Sequence, residues 1–203
     1  MTHLEIPKSV FEYFNNSTVK TTVDHLLSLK KGALPSNVQW SDLKEFYRAN
    51  LFAYQTQCEH AAVMVDLWTT IWSPRLELSH SIFLPDAWTI EKTQKEMVQN
   101  FDPKSLWDST WFGKCFTIYS ETKILTLGIS MTPEYGIQLS LNFEDSHGAP
   151  TFLDLSEAWP LAEMEDSTAW TKARLIEIRA ESLDLSPLVA AASDALERIQ
   201  SYR

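Results

Sequence analysis

From Leu43 onward, apolar side chains recur every three or four residues: Leu43, Tyr47, Leu51, Tyr54, Cys58, Ala61, Val65 and Trp68. Such steps keep side chains on one face of a 3.6-residue helix, so the run predicts one amphipathic helix of unusual length. Ser41 is placed to cap it, and acids follow in the first turn. Two departures stay open: a break near Gln55–Gln57, or a change to extended chain around "VMVDLWTTIW". Pro74 stops the helix.

Upstream, "IPKSVFEYFNNSTVKTTVDHLLSLKKG" predicts two short helices. Val10, Phe11 and Phe14 form the apolar patch of the first, and Val19, Val23, Leu26 and Leu27 that of the second. Lys30, Lys31 and Gly32 give a basic last turn and a stop. Downstream of Pro74, "RLELSHSIFL" alternates as a strand. The pair Pro85-Asp86 then turns the chain into a helix marked by Ile90, Met97 and Phe101.

From Trp111 the period shortens to two. "WFGKCFTIYS", "KILTLGISM" and "YGIQLSLNF" are three strands whose links are too short for a crossover helix, so they pair antiparallel. In the third, Ile137, Leu139, Leu141 and Phe143 share a core face, while Gln138, Ser140 and Asn142 share a face expected to be wet. "TFLDL" and, after an acidic connector, "RLIEIR" supply two more strands. Ser186 as N-cap with Pro187 in the first turn opens a last helix, whose stripe is Leu188, Ala192, Ala195, Leu196 and Ile199.

The architecture expected is therefore α+β: N-terminal helices including one long amphipathic helix, a mainly antiparallel sheet of about five or six strands, and a C-terminal helix packed on the sheet. Residues 1–203 read as a single domain, with 1–110 mainly helical and 111–203 forming the sheet and final helix. The chain has 203 residues, 44% of them hydrophobic, which suffices for an ordinary core.

Charge narrows the partners. The net charge is −10. The part up to Phe143 has 15 acids against 12 bases, and the part after it 12 acids against 5 bases. A field of that sign repels phosphate backbones and attracts cationic surfaces, so direct nucleic-acid binding is disfavoured and a basic protein partner is expected. Five glycines, without a GxGxxG or GxxxxGK[ST] pattern, offer no phosphate cradle. Cys58 and Cys115 lack CxxC spacing. Cys58 falls on the apolar side of the long helix and Cys115 within a strand, where each serves as a small hydrophobe. "MTHLEIPKSV" has no basic and apolar stretch of a signal peptide, and no apolar run reaches membrane-spanning length. A cytoplasmic compartment is the simplest expectation, with no membrane partner.

The candidate chemistry is sparse. "NFEDSHG" gathers Glu144, Asp145 and His147, and turn formation accounts for Asp145 to Gly148 without catalysis. Glu59 and His60 are adjacent, hence about 100° apart on a helix, and match no metal motif, so His60 reads as a surface or boundary residue. His25 and His80 are isolated. Glu121-Thr122-Lys123, with Asp102 or Asp108 upstream, is the one tripeptide compatible with a PD-(D/E)xK nuclease, in which paired carboxylates hold Mg²⁺ beside a lysine. It falls in a hairpin turn rather than in mid-strand. No catalytic residue, metal site or cofactor is assigned.

The segment "DLSEAWPLAEMEDSTAWT" is the more suggestive one. Asp154, Glu157, Glu163, Glu165 and Asp166 come without a base until Lys172, and Trp159 and Trp170 flank the last three. Aromatic anchors within charge of one sign describe protein-binding surfaces. They equally describe a connector pinned to the core by its tryptophans. The function expected is an acidic, non-enzymatic binding protein, immunity- or inhibitor-like, that neutralises a basic partner such as a nuclease toxin or nucleic-acid-binding protein by occlusion. The competing expectations are a metal-dependent phosphodiesterase with a divergent PD-(D/E)xK-like core, and a structural subunit of a larger complex, with oligomeric state left open.

Overall fold

A computed structural model describes residues 2–28, 39–78, 111–118, 123–132, 136–145, 159, 161–165 and 168–201. The fold mixes helix with antiparallel strand. A short strand β1 (His3–Glu5) leads into helices α1 (Lys8–Asn15) and α2 (Ser17–Ser28), where the two apolar patches predict them. Asn16 separates the two in an extended conformation. Its side-chain oxygen accepts hydrogen bonds from the backbone N–H groups of Thr18 and Val19, at 3.0 and 3.2 Å, which caps α2. Gly32, taken above as the stop of this helix, lies outside the described residues.

Helix α3 (Trp40–Ile71) is continuous for 32 residues, with neither a break at Gln55–Gln57 nor a change to strand. It begins two residues earlier than expected. Gln39, in an extended conformation, is the N-cap, and Ser41 is already inside the first turn with its hydroxyl turned to Asp42 at 3.2 Å. The other end has a clear cause. Pro74 has no N–H to offer the Thr70 carbonyl four residues back, so the ladder stops at Ile71. The Arg75 guanidinium takes up the orphaned carbonyls of Thr70 and Ile71 at 3.1 and 2.6 Å, and its Nε donates to Ser193 Oγ at 2.9 Å. The chain then continues as helix α4 (Ser73–Leu78). This corrects the strand expected from Arg75 to Leu78. Proline is well tolerated in the first turn of a helix, and Leu76 is buried within this one.

The strands fall into two antiparallel sheets rather than one. β1 pairs with β7 (Ser182–Asp184) in a two-stranded ribbon with His3 opposite Asp184. Three residues show no readable alternation, so the sequence pattern misses this ribbon. The other strands are β2 (Trp111–Ile118), β3 (Lys123–Thr132), β4 (Gly136–Asp145), β5 (Leu161–Glu165) and β6 (Thr168–Ile176), in the order β2-β3-β4-β6-β5. The link through residues 119–122 and that through 133–135 make consecutive hairpins, with Leu127 opposite Leu141 and Ile129 opposite Leu139. β6 starts at Thr168, earlier than "RLIEIR", and ends at Ile176, so Glu177 to Arg179 leave the sheet. "TFLDL" and the helix expected after Pro85 lie outside the described residues.

Gly136 opens β4 at φ +71°, and a Cβ there would stand 2.1 Å from the Ile176 carbonyl oxygen. Glycine lets β4 approach β6 where their register shifts, between Ile137 and Gln138.

Helix α5 (Ser186–Ser201) buries Leu188, Ala192, Ala195, Leu196 and Ile199, the stripe that its spacing predicts. Asp184, not Ser186, performs the capping. Its carboxylate accepts from the Ser186 N–H at 2.9 Å and from the Ser186 hydroxyl at 2.6 Å, which holds its pKa below the usual carboxylate value. One core joins α5 to the C-terminal half of α3 (Met64, Leu67, Trp68, Ile71) and to Leu125, Leu127, Ile129 and Leu139 of the sheet. Trp72 locks this packing by donating from Nε1 to the Gly128 carbonyl at 3.3 Å. On the opposite face of β3 and β4, Ser130 and Gln138 are half-buried. Thr126, Ser140 and Asn142 are buried, which corrects the wet face expected for β4.

Candidate functional site

The middle of α3 carries its polarity the wrong way round. Its inward face holds Ala53, Thr56, Gln57, His60, Val63, Met64 and Leu67, all buried. Three of those seven are polar. Its outward face holds Tyr47, Leu51 and Tyr54, which are 60, 68 and 54% exposed, followed by exposed Cys58. Leu51 and His60 are nine residues apart, half a revolution at about 100° per residue. The apolar series read above as the core stripe is thus the solvent face over its first half, and Cys58 is exposed rather than a core thiol.

His60 is the opposite of a surface histidine. It is 1% exposed, and its ring lies parallel to Phe14 of α1 at 6.0 Å. Burial penalises the charged form and pushes its pKa down to about 4, so the ring is neutral at pH 7. One residue earlier, Glu59 accepts hydrogen bonds from the Ser9 hydroxyl of α1 and from Gln55 Nε2, the latter at 2.7 Å. Ser9 is itself buried, so its hydroxyl braces α1 on α3 rather than facing a substrate. The arrangement is a docking seam between helices, built partly from polar groups.

The sequence-derived site residues divide. Trp159 is 5% exposed. Its indole N–H donates to the Ala191 carbonyl at 3.1 Å, and its ring lies 6.5 Å from that of Trp72. That tryptophan supports the core and has no free face to insert into a partner. The acidic stretch around it is less irregular than a connector. Glu163 and Glu165 belong to β5 and Trp170 to β6, with Glu163 directly opposite Trp170 in the register. β5 is the terminal strand of its sheet. Asp154, Glu157 and Asp166 lie outside the described residues.

Glu144 and Asp145 are the last two residues of β4, so the strand runs past Phe143 and does not turn at Asp145. Lys123, the first residue of β3, stands opposite Asp145. Glu121 and His147, which a metal or proton-transfer site would need, lie outside the described residues, as do His80, Asp102 and Asp108. Among the described residues no three His, Cys, Asp or Glu side chains are grouped to hold a metal ion, and no helix is long and apolar enough to cross a membrane.

No family model, curated protein or solved structure matches this chain.

Sequence reasoning misses the outward stripe because period alone does not say which of two apolar faces is buried. One signal was present. Lys44, Arg48 and Gln55 border Tyr47, Leu51 and Tyr54 on the wheel, and long polar side chains prefer the water side of a helix.

Proposed function

We propose that the protein is an acidic, non-enzymatic binding protein that occludes the surface of a basic protein, in the manner of an immunity protein or inhibitor. The observation that carries the reading is the acidic β5–β6 hairpin at the sheet edge. Glu163 and Glu165 belong to β5, the terminal strand of its sheet, and Asp166 follows them in the sequence. Trp170 of β6 stands in register with Glu163 of β5. Asp154 and Glu157 add charge of the same sign in the approach to the hairpin. A net charge of −10 steers a cationic partner toward the protein at long range, and the edge carboxylates pair with its Lys and Arg at contact.

Affinity capture from host lysate at low ionic strength tests this, comparing wild type with a Glu163→Lys/Glu165→Lys/Asp166→Lys variant. A basic protein retained by wild type, released by salt and lost with the variant is the expected result. Retention of nothing, or equal retention by both, overturns the reading.

A further inference from the structure

The N-terminal helices are held by two apolar clusters of unequal size. Leu4 of β1, Ile6 and Val10 of α1 belong to the main core, with the sheet, α5 and the second half of α3. Past Val10 the attachment changes. Among the described residues, Tyr13 of α1, Val23 of α2 and Ala53 of α3 form a second, small cluster of their own. Phe14 packs at the margin of both clusters and lays its ring parallel to that of His60 at 6.0 Å. Ala53 and His60, seven residues and just under two turns apart, lie on one line of α3. The buried Ser9 hydroxyl, bonded to Glu59, braces the anchored end of α1. Beyond Val10 only Phe11 to Asn15 remain of α1, and a helix of eight residues has little stability of its own.

We propose that α2 and the last turn of α1 form a flap that lifts from α3 about a pivot between Val10 and Tyr13, while the sheet and α5 stay folded, and that His60 makes the lifting acid-sensitive. The small cluster under the flap buries far less apolar area than the main core, so it gives way at a lower free energy. Lifting takes Phe14 off the imidazole and admits water. In the closed corner, burial holds the His60 pKa down at about 4; in the open corner it returns toward 6.5. The open form takes up a proton as pH falls below 6.5, and the closed form does not until about pH 4. Acid therefore favours opening. The charged groups on the packed helices are engaged elsewhere or exposed. Lys8 pairs with Glu12 on α1, Lys20 pairs with Asp24 on α2, and Glu59 on α3 accepts from Ser9 and Gln55. His25 and Asp66 are exposed. The flap is independent of the acidic hairpin.

Hydrogen–deuterium exchange on the full chain, corrected for intrinsic rates and read on α2 and on β3 and β4, tests this at pH 7.5 and pH 5.0. Amides of α2 should be protected at least roughly tenfold less than those of β3 and β4 at both pH values. Low concentrations of urea should hardly change the α2 amides, because the flap exposes little surface. Between pH 7.5 and pH 5.0 their protection should fall about 25-fold, the ratio set by a pKa of 6.5 when open and about 4 when closed. His60→Leu should remove that fall while α2 still exchanges faster than the sheet. His60→Gln gives the same readout if the leucine variant does not fold. One protection factor shared by α2, β3 and β4 overturns the proposal, since the corner then opens only with the whole molecule. So does an α2 protection that does not fall with pH in the wild type, or a fall that persists in the variants.

Discussion

Acidification should destabilise this protein through one imidazole. His60 is 1% exposed with its pKa pushed down to about 4, against 6.5 in the unfolded chain. The unfolded state takes up a proton as pH falls through 6.5, whereas the folded state refuses it until about pH 4. The stabilisation is thus fully present above pH 6.5 and is lost progressively down to about pH 4. The full difference corresponds to about 3 kcal/mol, of which about 2 kcal/mol is lost by pH 5. For a domain whose total stability is roughly 5–15 kcal/mol, that is a large share. Urea denaturation at pH 7.5 and pH 5.0 measures it, run in parallel on wild type and His60→Leu. The substitution removes the proton site and keeps an apolar body against Phe14. The other four histidines are common to both proteins, so the difference between the two pH dependences belongs to His60. The Asp184 carboxylate, with its pKa lowered by Ser186, loses its contribution only below the ordinary carboxylate value, outside this window. Equal loss of stability in wild type and variant between pH 7.5 and pH 5.0 would refute the reasoning.

Two further outcomes follow from the packing. Trp159→Ala should cost about 3–5 kcal/mol, because it empties an indole-sized space beside Trp72 and removes the hydrogen bond to the Ala191 carbonyl; thermal melting checks it, and a loss under about 1 kcal/mol would return that ring to the surface. Gly136→Ala should cost about 2 kcal/mol or more, since φ +71° disfavours a Cβ and that atom would collide with the Ile176 carbonyl oxygen, with chemical denaturation as the readout.

Legibility in the sequence followed how completely each element's chemistry agrees with its environment. Helix α5 was readable because all five stripe positions are aliphatic or alanine and all are buried. The β3–β4 hairpin was readable because its alternation survives from Leu125 to Leu141 and its link is too short for any alternative. Helix α3 was readable as a helix but not in its orientation. Thr56, Gln57 and His60 occupy its core face, so a hydrophobic count favours the face that looks outward. Ser140 and Asn142 failed for the same reason: alternation marks two faces of a strand, and polarity alone does not make the second one wet. The Arg75 cap on α3 was invisible, because it depends on carbonyls that only the helix end exposes.

The ribbon of β1 and β7 has a consequence for how the molecule is made. Ser182 Oγ meets Glu5 across 177 residues of sequence, and the Ile6 N–H finds its acceptor only at Glu181. During synthesis His3–Glu5 must stay single until the ribosome has delivered nearly the whole described chain. Ring closure over so long a loop is slow and leaves a sticky strand waiting. A tag fused just ahead of His3, or a ribosomal pause before Ser182, should therefore harm the yield of folded protein more than the small size of that ribbon suggests.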